Sequence, residues 1–221
     1  MSVSLGGAAD YLVTTTLPIA AFPYSFCGWF KLDDLSVSRC ICSIGDKDSA
    51  TEFQELYIVS TTTFVRIMSF NGAPPQYAES DTSPTAADGN WYLAVGTVDT
   101  ESRFAYLNAN PGAENTTAEA FSANHDNYTI GVRHTMAVDF FDGLIAEIAI
   151  YNKVLSGAEV TSLQTMSPYL VARANLVSYV PLRSDYYDVI QGVTFAAGGA
   201  PSISTDHPPL IYPTVMRRRR E

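Results

Sequence analysis

The sequence is poor in charge: 16% of its 221 residues are Asp, Glu, Lys or Arg, against about a quarter in an average soluble domain. It has no stretch approaching the ~18–20 continuous apolar residues of a membrane span. Its start lacks a basic segment followed by an apolar one, so neither a membrane anchor nor an export signal is expected. The three cysteines, Cys27, Cys40 and Cys42, form no paired framework and no metal-ligand spacing, which predicts buried free thiols from a reducing compartment. The three histidines, His125, His134 and His207, stand singly and read as turn or packing residues. No His-Glu-x-x-His, Gly-x-Ser-x-Gly, Walker-type loop or Cys-x-x-Cys occurs, which leaves transition-metal and nucleotide chemistry without a foothold.

What charge there is lies unevenly. Arg217, Arg218, Arg219 and Arg220 sit together at the end, so residues 1–216 carry 9 basic against 22 acidic side chains, a net charge of −13. An acidic body repels phosphate backbones, so nucleic-acid binding by the folded part is not expected. The arginine run reads as a solvated tail, or as a contact for an acidic protein surface or nucleic acid.

The length suits one large domain, and the pattern suits strands. Short apolar-aromatic runs at 11–15, 24–32, 40–44, 55–60, 64–70, 91–99, 103–108, 128–132, 143–151 and 176–182 are separated by turn residues such as Asp33-Asp34, Asn71-Gly72 and Asp88-Gly89-Asn90. Along 25–32 large side chains alternate with smaller or polar ones except at Trp29, predicting a strand covered on both faces. Along 144–151, strict alternation sets Ile145, Glu147, Ala149 and Tyr151 on one face and Leu144, Ala146, Ile148 and Ile150 on the other. Helical signal is confined to Ser156, which with Glu159 forms a capping box ahead of Val160, Leu163 and Gln164. The expected fold class is all-β: an antiparallel β-sandwich over 1–167 with one short helix. Residues 168–221 are expected to form a C-terminal strand plus an irregular tail, packed on the sandwich or on a partner.

The run from Phe141 to Ser156, followed by Ala158-Glu159-Val160, resembles the last strand and following helix of laminin-G-like, concanavalin A-like domains. Tyr24-Ser25-Phe26-Cys27-Gly28-Trp29-Phe30-Lys31 and Asn90-Trp91-Tyr92-Leu93-Ala94-Val95 are similar to the family's early and central strands, so the resemblance spans roughly 9–166. It implies a concanavalin A-like jelly roll. Leu176-Val177-Ser178-Tyr179-Val180-Pro181-Leu182, then Asp206-His207-Pro208-Pro209 and the arginine run, resemble the ends of laminin-G-like proteins of tailed bacteriophages and prophages. That second resemblance implies a virion component made in the host cytoplasm, such as a decoration, head-fibre or tail-associated protein. His207, Pro208, Pro209 and Arg217 to Arg220 would then contact a capsid or tail partner, and a homo-oligomer is the expected form.

The same family includes glycoside hydrolases, whose retaining members need two carboxylates about 5 Å apart across the scissile bond. Glu147 stands where one such residue is expected, but Ala149 and Tyr151 follow it on that face, so no enzyme activity is expected and Glu147 reads as a hydrogen-bonding partner. The resemblance also implies calcium as a cofactor to be tested; the oxygen-rich candidates are Asp126, Asp139 and Asp142, for which ordinary turn chemistry is an equal explanation. A glycan partner would need exposed aromatic faces, and Tyr77, Tyr106 and Tyr128 are candidates for a sugar or a subunit interface. The functional expectation is a non-catalytic assembly module of a virion, with a carbohydrate-binding module for cell-surface glycans as the alternative.

Overall fold

The computed structural model describes residues 1–72 and 74–212, so Arg217 to Arg220 lie outside the described residues. Its strands form two stacked antiparallel sheets. The first sheet contains β1 (Ser2–Gly6), β3 (Tyr24–Leu32), β8 (Tyr92–Val98), β9 (Arg103–Leu107), β10 (Asn110–Pro111), β12 (Asp142–Tyr151), β13 (Leu176–Val180) and β17 (Ser202–Ser204). They are ordered β10-β9-β8-β3-β12-β1-β17, with β13 also on β12. The second contains β2 (Tyr11–Thr14), β4 (Arg39–Gly45), β5 (Glu52–Ile58), β6 (Val65–Asn71), β7 (Gln76–Glu79), β11 (Asn127–Ile130) and β16 (Ala196–Gly198). Their order is β16-β2-β11-β4-β5-β6-β7, and β14 (Tyr187–Asp188) and β15 (Val193–Thr194) make a separate ribbon.

All ten strand segments expected from the sequence are present, with ends shifted by up to three residues. The even residues of β3, from Tyr24 to Leu32, face the core between the sheets, where Phe26 and Phe30 meet Ile41, Leu56, Ile67 and Ile130. Its odd residues Cys27 and Trp29 enter a second apolar layer on the outer side of the first sheet. There Leu155, Val160 and Leu163 around α1 (Gly157–Ser162) cover Ala149 and Tyr151. The helix starts as expected: Ser156 Oγ accepts from Glu159 N–H, and the Glu159 carboxylate accepts from Ser156 N–H at 2.8 Å. Both faces of β3 are therefore buried, which the mixed alternation around Trp29 reflects.

Strand β12 departs from strict alternation. Ile145, Ile148 and Ile150 all face the inter-sheet core, while Ala146, Ala149 and Tyr151 face the outer layer. The reason is a bulge: pairing with β3 shifts register between Ala146 and Ala149, and Glu147 takes φ +57°, so an extra residue reverses which parity points inward. The bulge also divides one edge of β12 between two partners, β1 pairing with residues 142–145 and β13 with residues 148–151.

The segment after 168 is built into this frame. β13 joins β12, β16 joins β2 and β17 joins β1. Phe195 is buried in the core, edge-on to Tyr128 at 5.1 Å. The fully buried Asp188 carboxylate accepts from Ser178 Oγ at 2.6 Å and from the N–H groups of Tyr179, Ile190 and Gln191 at 2.8–3.1 Å. Cys27, Cys40 and Cys42 are buried free thiols.

Two buried carboxylates carry measurable consequences. Glu147 accepts from the Tyr179 hydroxyl and from Arg183 Nε and Nη2 at 3.1 and 3.0 Å, and Arg183 is itself largely buried. Glu147→Ala leaves that guanidinium without its counter-charge, and a loss of about 3 kcal/mol is expected in urea unfolding; an unchanged midpoint would mean that the network is solvated. Glu55, fully buried on the outer face of the second sheet, has Arg133 Nε 3.4 Å away but no hydrogen bond to either oxygen among the described residues. Burial pushes its carboxyl up to about 7, with Arg133 opposing. A raised folded-state value favours the protonated fold, so this stability is complete below the ordinary glutamate range and is lost as pH rises through about 7. Burial conversely lowers His125 to about 4, which removes stability as pH falls from about 6.5 through about 4 and overlaps the first window. Glu55→Gln separates the two: thermal or urea melts should show the variant more stable than wild type by about 2 kcal/mol near pH 8 and matching it near pH 4. Parallel pH profiles would refute the assignment.

Candidate functional site

An open cleft of about 590 Å³ lies on the outer side of the first sheet, lined by Trp29, Gly89, Asn90, Trp91, Tyr92, Asn108, Gln164 and Pro209. Its volume is in the range of small-ligand sites. Trp29 projects from β3 opposite Leu93 of β8. Trp91 sits just before β8 and is presented by a tight turn. There the Asp88 carboxylate accepts from Asn90 N–H at 2.8 Å and from the Tyr92 hydroxyl, and Gly89 supplies φ +77°. The Tyr92 hydroxyl, chief among these bonds, holds the Asp88 carboxyl below the usual carboxylate range.

The remaining walls come from three distant parts of the chain. Asn108, at φ +49° in the turn after β9, is pinned from both sides by Leu93: its N–H donates to Leu93 O and its Oδ1 accepts from Leu93 N–H, each at 2.9 Å. Its Nδ2 and the whole Gln164 side-chain amide have no hydrogen-bond partner among the described residues. Pro209 arrives with the C-terminal segment, flanked by buried Pro208 and by Leu210 packing on the outer layer. Asp206, three residues earlier, accepts from Trp91 Nε1 at 3.0 Å and from Lys31 Nζ at 2.8 Å. These two donors, Lys31 first, hold its carboxyl below the usual range. Trp29 Nε1 is buried with no hydrogen-bond partner among the described residues. The lining thus combines the partly exposed indole of Trp91, beside a Trp29 that is buried, with neutral amides, and contains no carboxylate or imidazole.

The tyrosines expected at a binding surface separate. Tyr128 is fully buried in the inter-sheet core, and Tyr106 is 8% exposed and packs against Phe104, so neither presents a ring face; strand alternation cannot tell which of two faces a further layer covers. Tyr77 is exposed, with the Arg66 guanidinium 3.9 Å from its ring centroid and paired in turn with Glu79. It belongs to the outer face of the second sheet, away from the cleft. His134 is buried and stacks on Phe53 at 4.6 Å, and His125 is buried against Phe121. His207 is exposed with Nδ1 at 2.9 Å from Pro208 O. His207, Pro208 and Pro209 therefore lie on this chain's own sandwich, beside the cleft.

The three aspartates considered for calcium are not brought together. Asp139 pairs with Arg133 at 2.7 Å, and Asp142 lies 3.7 Å from Arg39, because arginines from neighbouring elements neutralise that end of β12. Asp126 instead meets Asp46 and Asp48, with one carboxylate oxygen of each within 4.8 Å of the others, the only such ligand group among the described residues. These hard oxygens suit a calcium ion in type, but Lys47 Nζ already sits among them, 2.5 Å from Asp48 and 3.2 Å from Asp126. As arranged, the trio is closed by its own ammonium and does not fit a cation without moving it. Glu147 is buried in its hydrogen-bond network, and among the described residues no helix is long and apolar enough to cross a membrane.

Sequence reasoning missed Trp29, Trp91, Asn108 and Gln164 as site residues, since each sits in a strand, turn or helix-end pattern that already had a structural explanation. The one available signal was Trp29 itself, the large residue that broke the alternation of its strand.

The fold recurs in solved structures of low sequence identity. A SAP-like heptameric pentraxin from Limulus polyphemus superposes with a TM-score of 0.65 at 14% identity, covering 92% of this chain and 95% of that one. The CBM40 of a Ruminococcus gnavus IT-sialidase, solved with alpha2,3 sialyllactose, gives 0.56 at 16% identity over 65% of this chain and 83% of its own. Domain 4 of AbnA, an extracellular GH43 arabinanase of Geobacillus stearothermophilus solved with arabinotriose, gives 0.58 at 22% identity over 73% and 75%. No curated protein sequence matches significantly. A family profile matches residues 5–161, more than half of the chain and all the strands from β2 to β12, and on that match the chain belongs to the concanavalin A-like lectin/glucanases superfamily.

Proposed function

We propose that the chain is a non-catalytic carbohydrate-binding module whose sugar site is the cleft between Trp29 and Trp91. The observation that carries this reading is the partly exposed Trp91 indole in one cleft with the Asn108 and Gln164 amides. An exposed indole face packs on the C–H face of a sugar ring and amides serve its hydroxyls, the division of labour a sugar site needs. Catalysis is disfavoured because the cleft lining offers no carboxylate pair to flank a glycosidic bond, and Glu147 is engaged by Tyr179 and Arg183. The similar folds of a sialidase CBM40 solved with sialyllactose and of an arabinanase domain solved with arabinotriose support this reading.

A second reading sets the module on a virion, made in the host cytoplasm and joined to capsid or tail proteins, with a homo-oligomer as its form. Besides the resemblance of the C-terminal segment, it is favoured by the placement of apolar surface: six of the eleven exposed large apolar side chains of the described residues, Met166, Leu170, Tyr187, Val189, Ile203 and Ile211, lie at or beyond 166. Such surface suits contact with another protein. The two readings are compatible, since a particle can carry a sugar-binding module outward.

Trp91→Ala should weaken binding to any retained oligosaccharide at least about tenfold by isothermal titration, while Tyr77→Ala leaves it unchanged; the reverse pattern would move the site to the second sheet. For the particle, mass spectrometry across a density gradient should find the chain at a fixed ratio to a major capsid protein. Recovery only in the soluble fraction would remove the virion reading and leave the sugar site standing.

A further inference from the structure

We propose that this cleft selects uncharged sugars, and that Asp206 sets the selectivity by holding Trp91 at the rim while cancelling the charge of Lys31. The inference rests on the carbohydrate-binding reading and names the class of ligand for that site.

A carboxylated or sulfated sugar needs a cation that is free to meet it. None of the lining residues carries one. The candidate tied to the rim is Lys31, two residues beyond Trp29 on β3 and therefore on the same outer face. Its ammonium is held by Asp206 at 2.8 Å. The other Asp206 oxygen accepts from Trp91 Nε1 at 3.0 Å, so one carboxylate joins this lysine to an indole of the site. Asp206 is itself fixed: its carbonyl accepts from Ser2 Oγ at 2.9 Å and its N–H donates to Ser204 Oγ at 3.2 Å. The rim is neutral as a pair, and the body around it carries a net charge of −13 over residues 1–216, which disfavours an anionic ligand further. Neutral hydroxyls lose nothing by this arrangement and gain a fixed indole face. Asp206 is thus a positioning residue on the C-terminal segment that both orients the stacking platform and removes the cation an acidic sugar would use.

Asp206→Asn separates these two roles, because the Asn carboxamide oxygen still accepts from Trp91 Nε1 while Lys31 loses its counter-charge. The probes are an array of neutral oligosaccharides, each paired with the sialylated form of the same core, followed by isothermal titration of lactose against 3′-sialyllactose or of whichever pair is retained. Wild type is expected to retain the neutral member over the sialylated one. In Asp206→Asn the neutral affinity should stay within about threefold, and the affinity for the sialylated member should rise about tenfold. Adding Lys31→Met to that variant should cancel the gain without altering the melting temperature. A wild-type preference for the sialylated member, abolished by Trp91→Ala, would overturn the selectivity while leaving the sugar site intact. An unchanged ratio in Asp206→Asn, with Trp91→Ala still abolishing binding, would overturn the role of Asp206 alone. Retention of no oligosaccharide, or retention indifferent to Trp91→Ala, would bring down the carbohydrate-binding reading and this inference with it.

Discussion

The structure turns on a single carboxylate buried at a bulge. Glu147 sits in the middle of β12, at a left-handed backbone angle that costs a non-glycine residue about 1 kcal/mol or more, and its side chain is wholly out of solvent. Burial raises its pKa, with Arg183 and then Tyr179 opposing. An unpartnered carboxylate there would be destabilising by several kcal/mol. What offsets this is supplied from residues 167–183: the Tyr179 hydroxyl, the Arg183 fork and Ser167 Oγ at 3.4 Å. The sandwich strand and the segment after the helix are therefore mutually dependent, although the family match ends at residue 161.

The cleft follows from the same bulge. Because parity reverses at Glu147, the outer side of β12 presents Ala146, Ala149 and Tyr151 beside Cys27 and Trp29 of β3, making a continuous apolar platform. That platform is what α1 and the 3₁₀ turns Pro168–Leu170 and Arg173–Asn175 pack on. Once they are seated, Gln164 at the helix end reaches the cleft, and the return through β17 brings Pro209 to it and Asp206 to Trp91. Without the bulge, Ile148 and Ile150 would face outward and the inter-sheet core would lose two of its isoleucines.

The fold was legible because its central strands are long, apolar and bounded by turn residues: β3, β4, β8 and β12 are almost entirely buried. β1, β7 and the short strands after residue 186 were not, because Ser2–Gly6 and Gln76–Glu79 have little apolar content and β14 to β17 are two or three residues long. Their pairing is imposed by neighbours rather than by local preference. The bulge was invisible for a related reason, since Ile145 through Tyr151 read equally well with either parity. The site was less legible still. Trp91 and Asn108 could be assigned to the edges of strands, but their convergence with Gln164 and Pro209 joins positions more than a hundred residues apart in sequence, and no local pattern encodes that.

Charge placement supplies the last constraint on what this surface can recognise. Of the nine basic side chains in residues 1–216, seven are consumed by acidic partners of the same chain: Lys31, Lys47, Lys153, Arg39, Arg66, Arg133 and Arg183 all form ion pairs. Arg103 is fully buried, donating to Thr117 O at 2.7 Å, and Arg173 lies over the Tyr169 ring. The 22 acidic side chains outnumber what these cations can neutralise, so the folded body presents excess negative charge with almost no cation left over. Polyanions and phosphate-rich surfaces gain nothing from such a body. What the described surface offers instead is apolar area and neutral hydrogen-bonding groups, and the chain from Met166 onward contributes to both: it carries six of the eleven exposed large apolar side chains and supplies Pro209 to the wall of the Trp91 cleft.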